Sequence, residues 1–233
     1  MPRPIAKLLE SIPSLRYTWL TYRRDQLWFP AAFWSLFAFL VVVLTQPLAR
    51  FNLARAYLGF VLPLIGGLLA AYAVLDDPAI ELRFATPVRP EQTLALRIGL
   101  VLAMEIFCAL AFELLAHALG IDLSALGSVT QLQLAWFLPT LALTALGTAG
   151  AFAGAQTMVG AVLVGGVWLV QVAMKSWFVE NAKPCFVFLG VFSPRDPGLF
   201  VNRCSLFAGS LALFALAWRL LRNQERFLGS ERR

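Results

Sequence analysis

Three ionisable residues stand inside otherwise apolar sequence: Glu105, Glu113 and His117. Their spacings of eight and four residues put all three on roughly one face of a helix. Carboxylates are costly inside a membrane, and the default reading of one held there is a proton relay or a cation-binding site. Glu113 and His117 fall toward the end of their apolar run, where such side chains reach water. Glu105 lies deeper, and is expected either to hydrogen-bond a neighbouring helix or to face a transport path. Glu-x-x-x-His is a weak metal signal here, because His117 is the one histidine and no cysteine is near it in sequence. No metal site is expected. Nor is a catalytic set: Ser–His–Asp or paired-carboxylate chemistry needs partners the chain does not supply.

These residues must be positioned by membrane helices. Of the 233 residues, 60% are hydrophobic and 14% charged, with a mean hydropathy of +0.75, against roughly a quarter charged in a soluble domain. Several runs reach the ~20 residues a helix needs to cross a bilayer. The chain is expected to be an all-α polytopic membrane protein with a single transmembrane domain over residues 1–233. The formal charge of +6 is then no nucleic-acid signal, since Lys and Arg gather at span ends, where they set orientation and meet lipid head groups. Pro2, Pro4, Glu10 and Pro13 precede any long apolar run, so no removable signal peptide is expected.

Residues 4–27 carry Ile5, Leu8, Leu9, Ile12, Leu15 and Trp19 at helical spacing, which predicts an interfacial N-terminal helix (residues 1–28 with its flanks). Six spans are then predicted, at about Phe29–Pro47, Tyr57–Leu75, Leu94–Leu119, Leu134–Ala153, Thr157–Met174 and Ser205–Leu221. Arg50, Asn52 and Arg55 read as a short turn between the first two, and Gly120–Gln133 as a turn-rich link. The uncharged run of 52 residues from Leu123 to Met174 is long enough for two spans and a tight turn. Between spans five and six, Phe186–Phe192 is too short to cross as a helix, and is expected to be a re-entrant or interfacial outer segment. Gly66 and Gly67, and Gly150 and Gly154 of a GxxxG, are candidates for close helix packing. Cys185 and Cys204 both fall in the predicted outer loop, residues 175–204, and are a candidate disulfide if that side is oxidising; Cys108 is expected to be buried and inert.

Counting Lys and Arg on the two faces of a six-span chain gives thirteen against six. The richer face holds both termini, the basic tail at residues 222–233 and the Asp76–Arg97 loop. The positive-inside rule puts these in the cytoplasm of a multi-pass cell-membrane protein.

Asp76–Arg97 is the most informative loop. Ile80, Leu82, Phe84 and Val88 mix there with Glu81, Arg83 and Arg89, while Pro87 and Pro90 prevent one smooth helix. Glu81, then Ala85-Thr86-Pro87-Val88-Arg89, then Leu94–Leu102 opening span three, resembles the coupling segment of the membrane (permease) subunit of ABC-2 type ABC transporters. In that pattern an acidic residue and a short amphipathic stretch lead into a Pro-Val-basic turn; Pro90, directly after the basic residue, departs from it. The resemblance in topology covers essentially the whole chain. It implies a permease homodimer or heterodimer, seated in membrane lipid and working with a separate ABC ATPase subunit that binds ATP and Mg. This chain has no GxxxxGK[ST] phosphate loop and binds no cofactor by that reading. It implies Glu81, Arg83 and Arg89 as polar contacts to the ATPase, with Phe84, Thr86 and Pro87 as part of the coupling surface. Spans poor in charge and rich in Phe fit a hydrophobic or amphiphilic cargo, exported as in most of the family. Two other readings remain beside it: a lipid-modifying membrane enzyme using Glu105, Glu113 and His117, and a non-transporting membrane scaffold.

Overall fold

The computed structural model describes residues 24–73 and 90–222. Most of the predicted interfacial helix, residues 74–75, residues 76–89 of the Asp76–Arg97 loop and the basic tail beyond Arg222 lie outside the described residues. Among those described, regular structure is helical throughout: α1 (Arg24–Val43), α2 (Pro47–Ala56), a π-turn (Tyr57–Val61), α3 (Leu62–Tyr72), α4 (Pro90–Ala118), α5 (Val129–Gly154), α6 (Thr157–Ala173), α7 (Lys175–Asn181), α8 (Leu189–Phe192) and α9 (Leu199–Arg222), with 3-10 turns at Ser124–Leu126 and Lys183–Cys185.

Four helices are long and apolar enough to cross a bilayer: Pro47–Tyr72, Leu94–Ala118, Val129–Gly154 and Leu199–Arg222. A fifth is added if α6 and α7, bent by 80° at Met174, count as one broken span, and Leu27–Val43 is a shorter apolar helix. The ends pair consistently. Ala70 of α3, Ala149 and Phe152 of α5 and Ala217 and Leu221 of α9 pack with Leu94 and Ile98, which open α4. At the opposite end Val41, Tyr57, Phe112, Ala116 and Trp136 form a second core.

Two predicted boundaries are corrected by capping chemistry. Pro47 does not close the first apolar helix; it opens the next one from the first helical position, where its missing N–H costs nothing. Arg50, Asn52 and Arg55 are therefore helical rather than a turn. The Arg50 guanidinium folds back to donate to the Leu44 and Val42 carbonyls, satisfying the end of α1. The link before α5 is also shorter than expected, because Ser128 and Gln131 form a reciprocal capping box that starts the helix at Val129. The last helix starts at Leu199 and so takes in Asn202 and Arg203.

The π-turn has a local cause. Pro63 lacks an N–H and its ring crowds the carbonyl one turn earlier, so the helix widens just before it. The Phe60 carbonyl of this turn accepts from another helix, the Trp168 indole N–H of α6 donating to it at 2.9 Å.

α3, α5 and α6 make the closest approach in the bundle. A Cβ on Gly147 would collide with the Gly67 carbonyl oxygen, and one on Gly160 would lie 2.5 Å from the Gly147 oxygen and 2.9 Å from the Ala71 Cβ. Gly67 itself faces Val164 and Leu143. Glycine brings backbones together where lipid offers no hydrophobic drive for association.

Candidate functional site

Glu105 sits midway along α4 and is fully buried. α3 faces it with Gly66, whose absent Cβ would lie 3.3 Å from the Glu105 Cγ, 3.3 Å from the Thr144 Oγ1 and 3.1 Å from the Thr140 Cγ2 of α5. The π-turn places Tyr57, also fully buried, against the next turns of α4, its ring 4.3 Å from Phe112 and 5.3 Å from Phe37. Cys108 adds a buried thiol one turn along α4. The Thr140 hydroxyl is committed to the Trp136 carbonyl at 2.7 Å, and Thr148 donates to the Thr144 carbonyl at 2.8 Å. Both Glu105 carboxyl oxygens, the Tyr57 hydroxyl and the Thr144 hydroxyl have no hydrogen-bond partner among the described residues.

The other two intramembrane candidates lie apart from this pocket. Glu113 is half-buried and accepts from Gln133 Nε2 at 2.6 Å and Trp136 Nε1 at 2.9 Å, so it fastens α4 to the start of α5. His117 is exposed. Helical spacing brings the three onto neighbouring stripes, but only Glu105 faces inward. Among the described residues, no group of three His, Cys, Asp or Glu is placed to hold a metal ion.

The outer segment is held by two buried amides, Gln171 of α6 and Asn202 of α9, which nothing in the sequence singles out. Gln171 donates to the Cys185 carbonyl at 3.1 Å and accepts from the Val187 N–H at 2.7 Å. Asn202 donates to the Lys183 carbonyl at 2.7 Å and the Phe186 carbonyl at 2.8 Å. Between them Phe186, Phe188 and Leu189 are fully buried. Phe60 meets Phe188 and Phe192 at ring separations of 5.1 and 5.0 Å, and a Cβ on Gly59 would strike Val191. The segment thus seats against the π-turn, with its irregular backbone satisfied by side chains as an apolar interior demands. Asn202→Leu removes the donor from one buried and one half-buried carbonyl and is expected to cost about 2–3 kcal/mol. Hydrogen exchange should show this as faster exchange at residues 183–192 with α5 unchanged.

At the rim of this segment Lys183 and Asp196 form an ion pair at 2.7 Å. The Lys183 hydrogen bond, followed by the Gly198 N–H, holds the Asp196 carboxyl below the usual aspartate range. A depressed folded value means that the contribution is complete above the ordinary aspartate range and is lost as pH falls through the folded value. Exchange at residues 193–198, taken relative to the intrinsic rate of an unprotected amide at each pH, is therefore expected to be flat down to about pH 4 and to rise below it. Asp196→Asn should show the raised level already at neutral pH.

Cys185 and Cys204 are exposed free thiols in this structure, and Cys108 is buried. Gly150 packs on the Gly160 Cα, where a Cβ would lie 3.1 Å away, and Gly154 faces Val159 across the two-residue turn into α6. The GxxxG therefore serves contacts within this chain. Glu81, Arg83, Phe84, Thr86, Pro87 and Arg89 lie outside the described residues. The helices flanking them are tied: the buried Arg97 of α4 donates through a terminal guanidinium nitrogen to the Ala73 carbonyl that ends α3. An open apolar groove between α1 and α4 is lined by Trp28, Trp34, Met104, Phe107 and Ala111.

Apolar helices of bilayer length around polar groups sealed in the interior define a helical membrane protein. No family model, curated protein or solved structure matches the chain.

Proposed function

We propose that this chain is the six-span permease subunit of an ATP-driven, ABC-2 type exporter, residing in the cell membrane with both termini and the Asp76–Arg97 loop in the cytoplasm. α1, the helix Pro47–Tyr72, α4, α5, α6 and α9 are its six crossings, and the clamped segment at 183–198 lies on the outer side. ATP and Mg belong to a partner ATPase that docks on Glu81, Arg83, Phe84, Thr86, Pro87 and Arg89. The permease pairs with a second permease chain.

The observation that carries this reading is the Glu81…Ala85-Thr86-Pro87-Val88-Arg89 pattern, placed between the second and third crossings. The Arg97 contact to the end of α3 supports it, because a push on the intervening segment then reaches two helices at once. The glycine-packed α3 hands such a displacement to α5 and α6, and interfaces of this kind shift between discrete packings rather than deforming smoothly. The apolar groove between α1 and α4 supports a hydrophobic or amphiphilic cargo. The separation of Glu105, Glu113 and His117 speaks against lipid chemistry carried by those three together.

Proteoliposomes holding the full chain with its partner ATPase test the reading. Movement of an amphiphilic fluorescent probe is expected only when both proteins and ATP-Mg are present. Equal movement by this chain alone would refute it.

A further inference from the structure

We propose that Glu105, Tyr57 and Thr144 form a buried binding site for one monovalent cation, taken up as a proton or as an alkali ion. The inference rests on the helical membrane fold and is independent of the coupling to an ATPase.

Buried polar groups in folded proteins are overwhelmingly hydrogen-bonded, and a cluster of unpartnered ones points to a small guest. Four buried oxygens without a partner among the described residues lie along this stretch of α4: two from Glu105, one from Thr144 of α5, which faces it across Gly66, and one from Tyr57 of the π-turn, packed one to two turns further along. All of them bear lone pairs, and the two hydroxyls can also donate. A bare carboxylate in such a place costs several kcal/mol unless a positive charge compensates it. Among the described residues, those that face it supply none. α3 offers Gly66, α5 offers Thr140 and Thr144, the π-turn offers Tyr57, and α4 itself offers Cys108. The nearest basic residue along α4 is Arg97, about 12 Å away at 1.5 Å per residue and engaged with the end of α3. Glycine at position 66 keeps this arrangement intact, since a side chain there would press on Glu105 and Thr144 together. Glu113, already satisfied by Gln133 and Trp136, provides a built-in contrast on the same helix.

Because the ligating groups come from three elements, an occupied site holds them together, and occupancy must raise stability by linkage. The test is the thermal unfolding midpoint of the full chain in lipid nanodiscs. Sodium is varied against choline at constant ionic strength and fixed pH, and pH is varied in choline alone. The wild-type midpoint is expected to rise with one of the two ligands. A sodium response at fixed pH identifies the alkali ion, and a pH response in choline identifies the proton. Glu105→Gln should abolish that response while Glu113→Gln keeps it. Thr144→Val, which preserves shape, should weaken the half-saturating concentration by about ten-fold, and it carries the test if Glu105→Gln does not accumulate. A wild type insensitive to both ligands, or variants at Glu105 and Thr144 that respond as wild type does, would overturn the proposal.

Discussion

Gly147→Leu is expected to cost the chain most of its folded yield. The new side chain has little room to relax: its Cβ would already overlap the Gly67 carbonyl, and the Val164 side chain of α6 lies 3.1 Å away. Overpacking a core that can shift costs about 1–3 kcal/mol. Here the nearest obstacle is the backbone of a neighbouring helix, so about 3 kcal/mol or more is expected, a large part of a typical total stability. Gly66, next to Gly67, lines the Glu105 pocket, so the same displacement would open that pocket as well. Fluorescence-detected gel filtration of detergent extracts is the measurement, with loss of the monodisperse peak as the expected outcome. Gly165 and Gly166 lie on α6 with open space where a Cβ would stand, and leucine at either is expected to change stability by less than about 0.5 kcal/mol.

The second large effect is functional. Glu81→Lys and Arg83→Glu, singly, are expected to reduce ATP-dependent transport to background while leaving membrane insertion and the gel-filtration profile unchanged. The cause is electrostatic: a charge reversal converts an attraction at a docking surface into a repulsion, and removes complementary pairing that fixes register. The double reversal should not recover transport unless the two residues pair with each other rather than with the ATPase. Undiminished transport in both single variants would remove these residues from the coupling surface.

The apolar runs reveal the helices because bilayer length and composition are local properties. Thr157–Met174 as predicted and Thr157–Ala173 as observed differ by one residue, and Leu94–Leu119 nearly coincides with the apolar part of α4. Sequence misleads where one residue type permits two roles. Pro47 reads as a helix end although proline equally opens a helix, and Arg50 reads as part of a turn although its side chain caps the preceding helix from within the next. Glu105 stands out in sequence because a deep carboxylate is rare. Its pocket does not, because Tyr57 and Thr144 are ordinary residues until the fold assembles them, and Gly66 is marked only as a close-packing position. Gln171 and Asn202 are hidden for the same reason: their partners lie 14 to 19 residues away, and nothing local marks an amide as a loop clamp. The π-turn leaves a trace in Pro63, but the hydrogen bond its Phe60 carbonyl accepts from Trp168 spans 108 residues of sequence.

The most direct measurement is the sidedness of the segment between α3 and α4. A single cysteine replaces Thr86 in a chain with Cys108, Cys185 and Cys204 changed to serine, and a membrane-impermeant maleimide is applied to intact cells and to inside-out vesicles. Labelling only in the inside-out vesicles, suppressed when the partner ATPase is added back, is the expected result. Labelling in intact cells would put the segment on the outer face, beyond the reach of any ATP-driven partner, and would contradict the proposed coupling at its root.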